Sequence, residues 1–405
     1  MKKLIKWLFI LILPFLLFDI YKGIFRFRSD STKNNAAPLN SIVYQFRTHY
    51  WHFPPSSVTT ITNEENNTFL VKADKHGFRN DPIIANPNLL LLGDSFTCAM
   101  NTEDKDTYAQ VLTNEGVSVY NAGMDGTGTC HQAYILKDIL EHIHPEVVVL
   151  NFYLGNDFHD NFFGPQLQTL KESLNLTSNR EDSSSNEKMT PNSKFKVFVL
   201  EHLRPIKDFM MSYSPSFNVI YDRLSPYFHE KTEMLYYDRS ELKMFAYQED
   251  TPDLEIKKSI ENTTDAFDVI QKIIEDYNQK NNTHVKLVVV GIPSKAQVIK
   301  SLREVSNFAT DEGAQSFSNS LLSQINFDTP NHLLANLCAK NNIPYFSLLP
   351  LFRENAGLGL YYYFDLHWNW RGEKIAAQAV YKWLKESGFL NNSIKLSPFS
   401  GLKYM

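Results

Sequence analysis

Cysteine is scarce in this chain, and its spacing points to no metal or redox site. The 405 residues include three cysteines, Cys98, Cys130 and Cys338, with no C-x-x-C pair among them. This excludes a disulfide framework and a zinc ribbon, and at most one disulfide can form. We expect isolated buried thiols. The alternative is a bridge between Cys98 and Cys130 in an oxidising compartment.

The chain also lacks an excess of positive charge. Its formal net charge is −5, so nothing predicts a broad basic surface for nucleic acid. No Gly-Lys-Ser/Thr follows the glycine-rich stretch, which argues against a P-loop and nucleotide binding. With 43% hydrophobic and 21% charged residues, the chain can bury a substantial core, so disorder throughout is excluded.

The N-terminus has the pattern of an export signal. Lys2, Lys3 and Lys6 precede an unbroken apolar run from Trp7 to Phe18, and no small-x-small cleavage pattern follows. We therefore predict an uncleaved signal anchor over residues 1–28, rather than a removed peptide or a buried helix. The polar residues 29–41 are predicted to be a linker, which places the following domain outside the cytoplasm, tethered to the membrane.

From about residue 42 to 390, short apolar runs alternate with helical patterns. The runs lack the alternation of a half-exposed strand, so they predict buried parallel strands. An apolar stripe from Ile256 to Tyr277 predicts one helix, Thr329-Pro330 begins another, and a third covers Trp370 to Ser387 and stops at Gly388. This order predicts an α/β fold, a three-layer α/β/α sandwich. The predicted strands are 88–92, 117–120, 147–152, 285–291 and 344–347.

A long stretch after the third strand breaks this alternation and predicts an insertion at about residues 160–250. Residues 173–194 are rich in Ser, Asn, Glu and Lys and are predicted to be disordered. Residues 195–228 are rich in aromatic and aliphatic side chains, and they predict either a lid over a substrate cleft or a purely structural cap. Residues 391–405 are read as a C-terminal tail.

Polar motifs follow the first three strands, at the sheet edge where open α/β sheets bind ligands. Gly93-Asp94-Ser95 predicts a tight turn that exposes the Ser95 hydroxyl as a nucleophile, although Asp and Ser are also common turn residues. Gly126, among neighbouring glycines, offers a backbone N–H to a ligand. Asn156 offers an uncharged amide donor, or alternatively forms an Asx-turn.

The fourth motif, Asp365-Leu-His367, precedes the final helix. A neutral His367 imidazole can take the serine proton, and the Asp365 carboxylate can orient the ring and stabilise its cation. A metal site is the competing interpretation, but no His-x-x-x-His or second ligand cluster accompanies the pair. We expect no metal and no cofactor.

The set and order of these motifs resemble the blocks of the SGNH hydrolase superfamily, also called GDSL lipases and esterases. The resemblance implies a flavodoxin-like fold with a five-stranded parallel sheet. It implies Ser95 as nucleophile, His367 and Asp365 as its partners, and an oxyanion hole from Ser95, Gly126 and Asn156. The usual spacing is Asp-x-x-His. The Asp-x-His found here resembles the branch that includes polysaccharide acetylation proteins, and Gly123 or Gly128 are alternatives to Gly126.

The expected reaction is acyl transfer through a serine acyl-enzyme. Hydrolysis makes the chain an esterase acting on O-acylated cell-envelope glycan or on a lipid ester, whereas interception by a sugar hydroxyl makes it an O-acyltransferase. A catalytically silent glycan-binding or assembly component is the alternative from another class.

Overall fold

The computed structural model describes residues 44–63, 66–176, 241, 243–248, 254–300, 325–363 and 366–390. Apart from residues 46–48, all of these belong to one structural unit. The predicted signal anchor, linker and C-terminal tail lie outside the described residues, as does most of the predicted insertion. Within the described ranges, no helix combines the length and apolar character that a membrane span requires.

The described chain begins with short strands that the sequence did not predict. Strands β1 (Gln45–Phe46) and β2 (Trp51–His52) come first. They are followed by an antiparallel pair, β3 (Val58–Thr62) and β4 (Thr68–Lys72), in which Val58 lies opposite Lys72. In β4, Phe69 and Val71 are buried while their neighbours are exposed, which is the period-two pattern of a sheet with one solvated face.

The central sheet has five parallel strands in the order β6-β5-β7-β8-β9. All four residues of β5 are completely buried, as expected for a strand covered by helices on both faces. The order runs outward from β5 in both directions, as in flavodoxin-like sheets. The predicted fold and all five predicted strands are confirmed. The strands are β5 (Leu89–Leu92), β6 (Val119–Asn121), β7 (Val147–Tyr153), β8 (Lys286–Ile292) and β9 (Tyr345–Ser347).

Helices cover both faces of this sheet and form two hydrophobic cores. Leu90 and Val148 point into one core, and Leu89 and Val147 point into the other, because successive strand residues face opposite sides. The helices are α1 (Ser95–Cys98), α2 (Tyr108–Asn114), α3 (Thr129–Ile139), α4 (Asp157–Phe163), α5 (Gln168–Ser173), α6 (Leu254–Asn281), α7 (Lys295–Ile299), α8 (Thr329–Lys340), α9 (Leu349–Glu354) and α10 (Trp370–Glu386). Short 3-10 helices cover Asp104–Asp106 and Ala356–Leu358.

The predicted helices are present, with small differences at their ends. α6 buries Phe267 and Ile270 in the first core, and Gly388 has a φ of +71° just after α10, as a helix stop requires. α8 begins at Thr329, but Asp328 occupies the N-cap position. Of the stretch predicted to be disordered, only residues 173–176 are described, and Ser173 is the last residue of α5.

Candidate active site

Three of the predicted motifs follow neighbouring strands. Ser95 comes directly after β5, Gly126 after β6 and Asn156 after β7, and β5 lies between the other two strands. Because the strands are parallel, their carboxyl ends meet at one edge of the sheet. All three residues are at least partly exposed, so this edge is accessible to a ligand.

Ser95 is the first residue of α1, at the end of a sharp turn. Asp94 is the N-cap of α1, since its Oδ1 accepts a hydrogen bond of 3.0 Å from the Phe96 N–H. At Gly93, whose φ is +158°, a Cβ would lie 2.1 Å from the Thr97 Oγ1, so a side chain has no room there. The turn leaves the Ser95 backbone N–H without a hydrogen bond to any described residue.

The structure brings His367 to Ser95 across 272 residues of sequence. The His367 Nε2 lies 2.8 Å from the Ser95 Oγ, which is hydrogen-bond distance and the reach that proton transfer requires. The ring also packs on the Phe96 ring, with 4.8 Å between centroids. A serine hydroxyl therefore has an imidazole as its immediate partner.

An antiparallel backbone contact lies beside His367. Tyr361 and Trp368 form an isolated β-bridge, and the Tyr362 N–H donates to the His367 carbonyl over 2.8 Å. Trp368 is buried and makes edge contact with Phe96. The backbone at His367 and Trp368 is thus held close to the helix that begins at Ser95.

The other ring nitrogen of His367 contacts a residue that the sequence did not single out. The Asn101 amide Nδ2 lies 3.3 Å from the His367 Nδ1, and the Asn101 carbonyl accepts a hydrogen bond from the Tyr362 hydroxyl. Asn101 stands outside every recognised motif, so no sequence signal marks it. Asp365, the predicted orienting residue, lies outside the described residues.

The glycines of the glycine-rich loop differ in their exposure and in their hydrogen bonds. The Gly123 N–H donates to the Asn121 Oδ1 over 2.8 Å, and Gly123 and Gly128 are both buried. Gly126 is exposed, its φ is +66°, and its N–H forms no hydrogen bond with the described part of the chain. Of the three, Gly126 is the one whose amide can reach an external ligand.

Two hydrogen bonds join this loop to the turn that precedes Ser95. The Met124 N–H and the Thr127 hydroxyl both donate to the Gly93 carbonyl, at 3.0 and 3.2 Å. The same Thr127 Oγ1 lies 2.6 Å from the Met124 carbonyl, so the two carbonyls share its single hydrogen in a three-centre bond. The loop that carries Gly126 is therefore attached to the residue two positions before Ser95.

Asn156 occupies the N-cap position of α4, but its side chain does not cap the helix. The Asn156 amide forms no hydrogen bond with a described residue, and its Oδ1 is buried. The side chain of the next residue bonds to the backbone instead, since Asp157 Oδ2 accepts a hydrogen bond of 3.0 Å from the Tyr153 N–H. The Asx-turn alternative is therefore wrong for Asn156, whose amide remains available to a ligand.

Two buried carboxyl groups, those of Asp94 and Asp157, directly adjoin Ser95 and Asn156 in the sequence. Burial raises the pKa of Asp94, and the nearby His367 cation lowers it. Burial raises the pKa of Asp157 as well, and the charge of Asp94 raises it further. Burial and mutual repulsion thus both favour the neutral form of these two carboxyl groups.

The pairing of the cysteines is decided within the described residues. Cys98, Cys130 and Cys338 are free and buried, so the expectation of isolated thiols is confirmed and the Cys98–Cys130 bridge is absent. Burial raises the pKa of Cys98 to about 12, which makes it a poor nucleophile at neutral pH. Within the described ranges, no group of three or more His, Cys, Asp or Glu residues is arranged to hold a metal.

Comparison with known proteins gives structural matches alone. No protein-family model matches the chain. The search of curated proteins also gives no match.

Several solved structures are similar to this chain at low sequence identity. A lipolytic protein of the G-D-S-L family from Veillonella parvula is 10% identical, with 73% of this chain and 96% of that chain covered and a TM-score of 0.31. For TesA the identity is 12%, with 75% of this chain and 99% of that chain covered, and the TM-score is 0.34. An alpha/beta hydrolase enzyme from the metagenome of Lake Arreo, Spain, is 11% identical, with 76% of this chain and 96% of that chain covered and a TM-score of 0.32. Because these TM-scores are below 0.5, the function proposed below depends on the site geometry.

Proposed function

We propose that this chain is a serine esterase of the SGNH/GDSL type, with Ser95 as nucleophile and His367 as its base. The observation that carries the proposal is the 2.8 Å distance between the Ser95 Oγ and the His367 Nε2. A serine is a weak nucleophile by itself and is activated by an adjacent general base. The pair lies at the carboxyl edge of the sheet, where the site is open to solvent.

The reaction follows from this arrangement. His367 Nε2 takes the Ser95 proton as Oγ attacks the ester carbonyl carbon, and the carbonyl oxygen becomes an oxyanion. His367 then returns that proton to the leaving alcohol as the ester bond breaks, which leaves an acyl-serine. Water, deprotonated by His367, attacks the acyl-serine, and collapse of the second tetrahedral intermediate regenerates Ser95 and releases the carboxylic acid.

The oxyanion is proposed to be held by the N–H groups of Ser95 and Gly126 and by the Asn156 amide. All three donors have no hydrogen-bond partner among the described residues, and a preorganised donor needs to be free for the developing charge. Ser95 and Gly126 belong to turns that are linked through the Gly93 carbonyl, which supports their acting together.

The test is labelling of the full-length chain with a fluorophosphonate probe, which forms a covalent bond with an activated serine. Wild type is expected to be labelled, and Ser95→Ala and His367→Ala are expected to lose labelling. Ser387→Ala, which changes an exposed serine after α10, is the matched control and should be labelled like wild type. Labelling of Ser95→Ala at the wild-type level would remove Ser95 as the nucleophile.

For the substrate, we propose an O-acylated glycan of the cell envelope, with a lipid ester as the alternative outcome. Support comes from the predicted export signal at residues 1–28 and from the Asp-x-His spacing at Asp365 and His367. Product analysis on an acetylated glycan and on a lipid ester, each with and without an added sugar acceptor, separates the possibilities. Release of acid supports an esterase, whereas transfer of the acyl group to the sugar identifies an O-acyltransferase.

We also propose that the N-terminal segment tethers this domain to the membrane outside the cytoplasm. The apolar run from Trp7 to Phe18 and its flanking lysines support the proposal. Fractionation of cells that express the full chain or a variant lacking residues 1–28 tests it. Recovery of the full chain in the soluble fraction would contradict it.

A further inference from the structure

Trp51, which lies before the central sheet begins, contacts the peptide group that includes the Gly126 N–H. The Trp51 indole Nε1–H donates a hydrogen bond of 2.9 Å to the Asp125 carbonyl oxygen. That carbonyl and the Gly126 N–H belong to one planar trans peptide unit, in which the two groups point in opposite directions. Fixing the direction of the carbonyl therefore fixes the direction of the N–H.

We infer that Trp51 is a positioning residue for the oxyanion hole, which acts by orienting the Gly126 N–H toward the ligand. The inference depends on the proposed function, since it assigns a partner to one of the proposed oxyanion donors. Trp51 does not touch the reacting atoms in this mechanism. It acts through the Asp125–Gly126 peptide.

The local backbone explains why such a partner is needed. Gly126 has a φ of +66° and is exposed, and glycine populates positive and negative φ about equally. A peptide unit that precedes glycine can therefore rotate at little steric cost, which would turn its N–H away from the site. Hydrogen bonds to the Gly93 carbonyl hold Met124 and Thr127, whereas the Trp51 bond holds the peptide between Asp125 and Gly126.

The Trp51 ring is itself held in place. It is half-buried and packs edge-on against the His131 ring of α3, with centroids 5.1 Å apart. Its Cζ2 would lie 3.4 Å from a Cβ at Gly126, so the indole lies directly beside the glycine. A donor on a packed ring gives a more defined direction than a mobile side chain, because little rotamer freedom remains to be lost.

The hydrogen bond also affects the strength of the oxyanion donor. A donor on a carbonyl oxygen polarises the peptide group, and chains of hydrogen bonds strengthen one another inside proteins. The Gly126 N–H is therefore expected to be a better donor with the Trp51 bond than without it. This advantage applies mainly to the charged transition state, because the oxyanion accepts a stronger hydrogen bond than the ground-state carbonyl.

The experiment compares wild type with Trp51→Phe in the full-length chain. Phenylalanine keeps an aromatic ring but removes the donor. We expect kcat to fall about tenfold, which corresponds to about 1.4 kcal/mol, while KM for a neutral ester substrate stays close to wild type. Affinity for an arylboronic acid, which forms a tetrahedral adduct with an activated serine, should fall by a similar factor.

Trp383→Phe is the matched control. Trp383 packs between Phe346 and Phe389, and its indole N–H forms no hydrogen bond with a described residue. This variant should keep wild-type kcat and boronate affinity. The smaller ring of phenylalanine in Trp51→Phe also changes the packing, so a second replacement is needed. 3-Benzothienylalanine at position 51 keeps the bicyclic shape of the indole but lacks its N–H. This variant should show the same fall in kcat and boronate affinity, with an unchanged melting temperature.

The outcomes separate this inference from the proposed function. If Ser95→Ala is inactive while both Trp51 replacements keep wild-type kcat and boronate affinity, Trp51 has no positioning role and the esterase proposal stands. If Ser95→Ala keeps full activity, the proposed function fails before Trp51 is considered. A rise in KM with unchanged kcat would also overturn the inference, because it would show a role in ground-state binding.

Discussion

Asn101 and His367 meet through a contact of 3.3 Å between the Asn101 Nδ2 and the His367 Nδ1. When Nε2 accepts the Ser95 proton, Nδ1 already carries a hydrogen and needs an acceptor. An amide presents either its oxygen or its nitrogen after rotation about χ2, so Asn101 can accept from Nδ1–H in that state. We expect Asn101 to help hold the imidazole in the orientation that the reaction requires.

Replacing Asn101 is expected to weaken catalysis moderately. Asn101→Ala removes one hydrogen bond to the ring, which corresponds to about 1 kcal/mol and roughly a fivefold lower kcat/KM. Asn101→Asp keeps an acceptor and adds a negative charge that stabilises the imidazolium. The acid limb of its kcat/KM profile should therefore move to higher pH, because the base must be neutral to act.

Asn114→Ala, at the exposed end of α2, serves as the control and should match wild type. Comparison with Asp365→Ala shows which residue contributes more to orienting the ring. If Asn101→Ala and Asn101→Asp both kept the wild-type rate and pH profile, the contact would have no part in catalysis.

Asn156 is expected to contribute more than Asn101, because it is proposed to meet the oxyanion itself. Loss of one oxyanion donor typically costs about 3 kcal/mol, so Asn156→Ala should lower kcat by roughly two orders of magnitude or more. The measurement is steady-state hydrolysis of an activated ester by the full-length chain.

Fluorophosphonate labelling of Asn156→Ala should slow but still occur at Ser95, since the nucleophile and its base are unchanged. That result would distinguish a lost oxyanion donor from a collapsed site. A wild-type kcat in this variant would exclude Asn156 from the oxyanion hole.

The sheet was predictable because its signal is local. Each strand of the central sheet includes a short run of apolar residues, and β5 consists of four completely buried leucines. The hairpin of β3 and β4 was missed, because Leu70 lies between Phe69 and Val71 and interrupts the alternation of apolar and polar residues, although Leu70 is exposed in the structure.

The candidate site was predictable only in part. The order of the motifs predicted that Ser95 and His367 would act together, and the structure places them 2.8 Å apart. Asn101 and Trp51 were missed because their contacts depend on tertiary structure. Trp51 meets Asp125 across 74 residues and Asn101 meets His367 across 266, and neither lies in a recognisable pattern.

Glu373 provides a test of the buried electrostatics near the site. It lies in the first turn of α10, is 2% exposed, and accepts hydrogen bonds from the Tyr108 N–H at 2.9 Å and the Thr102 hydroxyl at 3.3 Å. Burial raises the pKa of Glu373 to about 8, although its hydrogen bonds and the Arg79 charge oppose the shift. In the folded protein the carboxyl group is therefore neutral at pH values where the unfolded chain has already ionised it.

The sign of the pH effect follows from this difference. Between about pH 5 and 8 the folded state binds one proton more than the unfolded state at this position, so the free energy of unfolding falls as pH rises. The slope is at most about 1.4 kcal/mol per pH unit. Glu373→Gln cannot ionise, and its amide can still accept the Tyr108 N–H and donate to the Thr102 oxygen. The variant should therefore gain stability relative to wild type across this range.

Urea unfolding of both proteins at several pH values between 5 and 9 measures the effect. The difference in free energy of unfolding, Glu373→Gln minus wild type, should increase up to about pH 8 and then level off, whatever its offset at pH 5. Glu386→Gln, at the exposed last residue of α10, should show no such trend. Parallel curves for wild type and Glu373→Gln would mean that the Glu373 carboxyl ionises alike in both states, because only a proton bound by one state and not the other makes stability depend on pH.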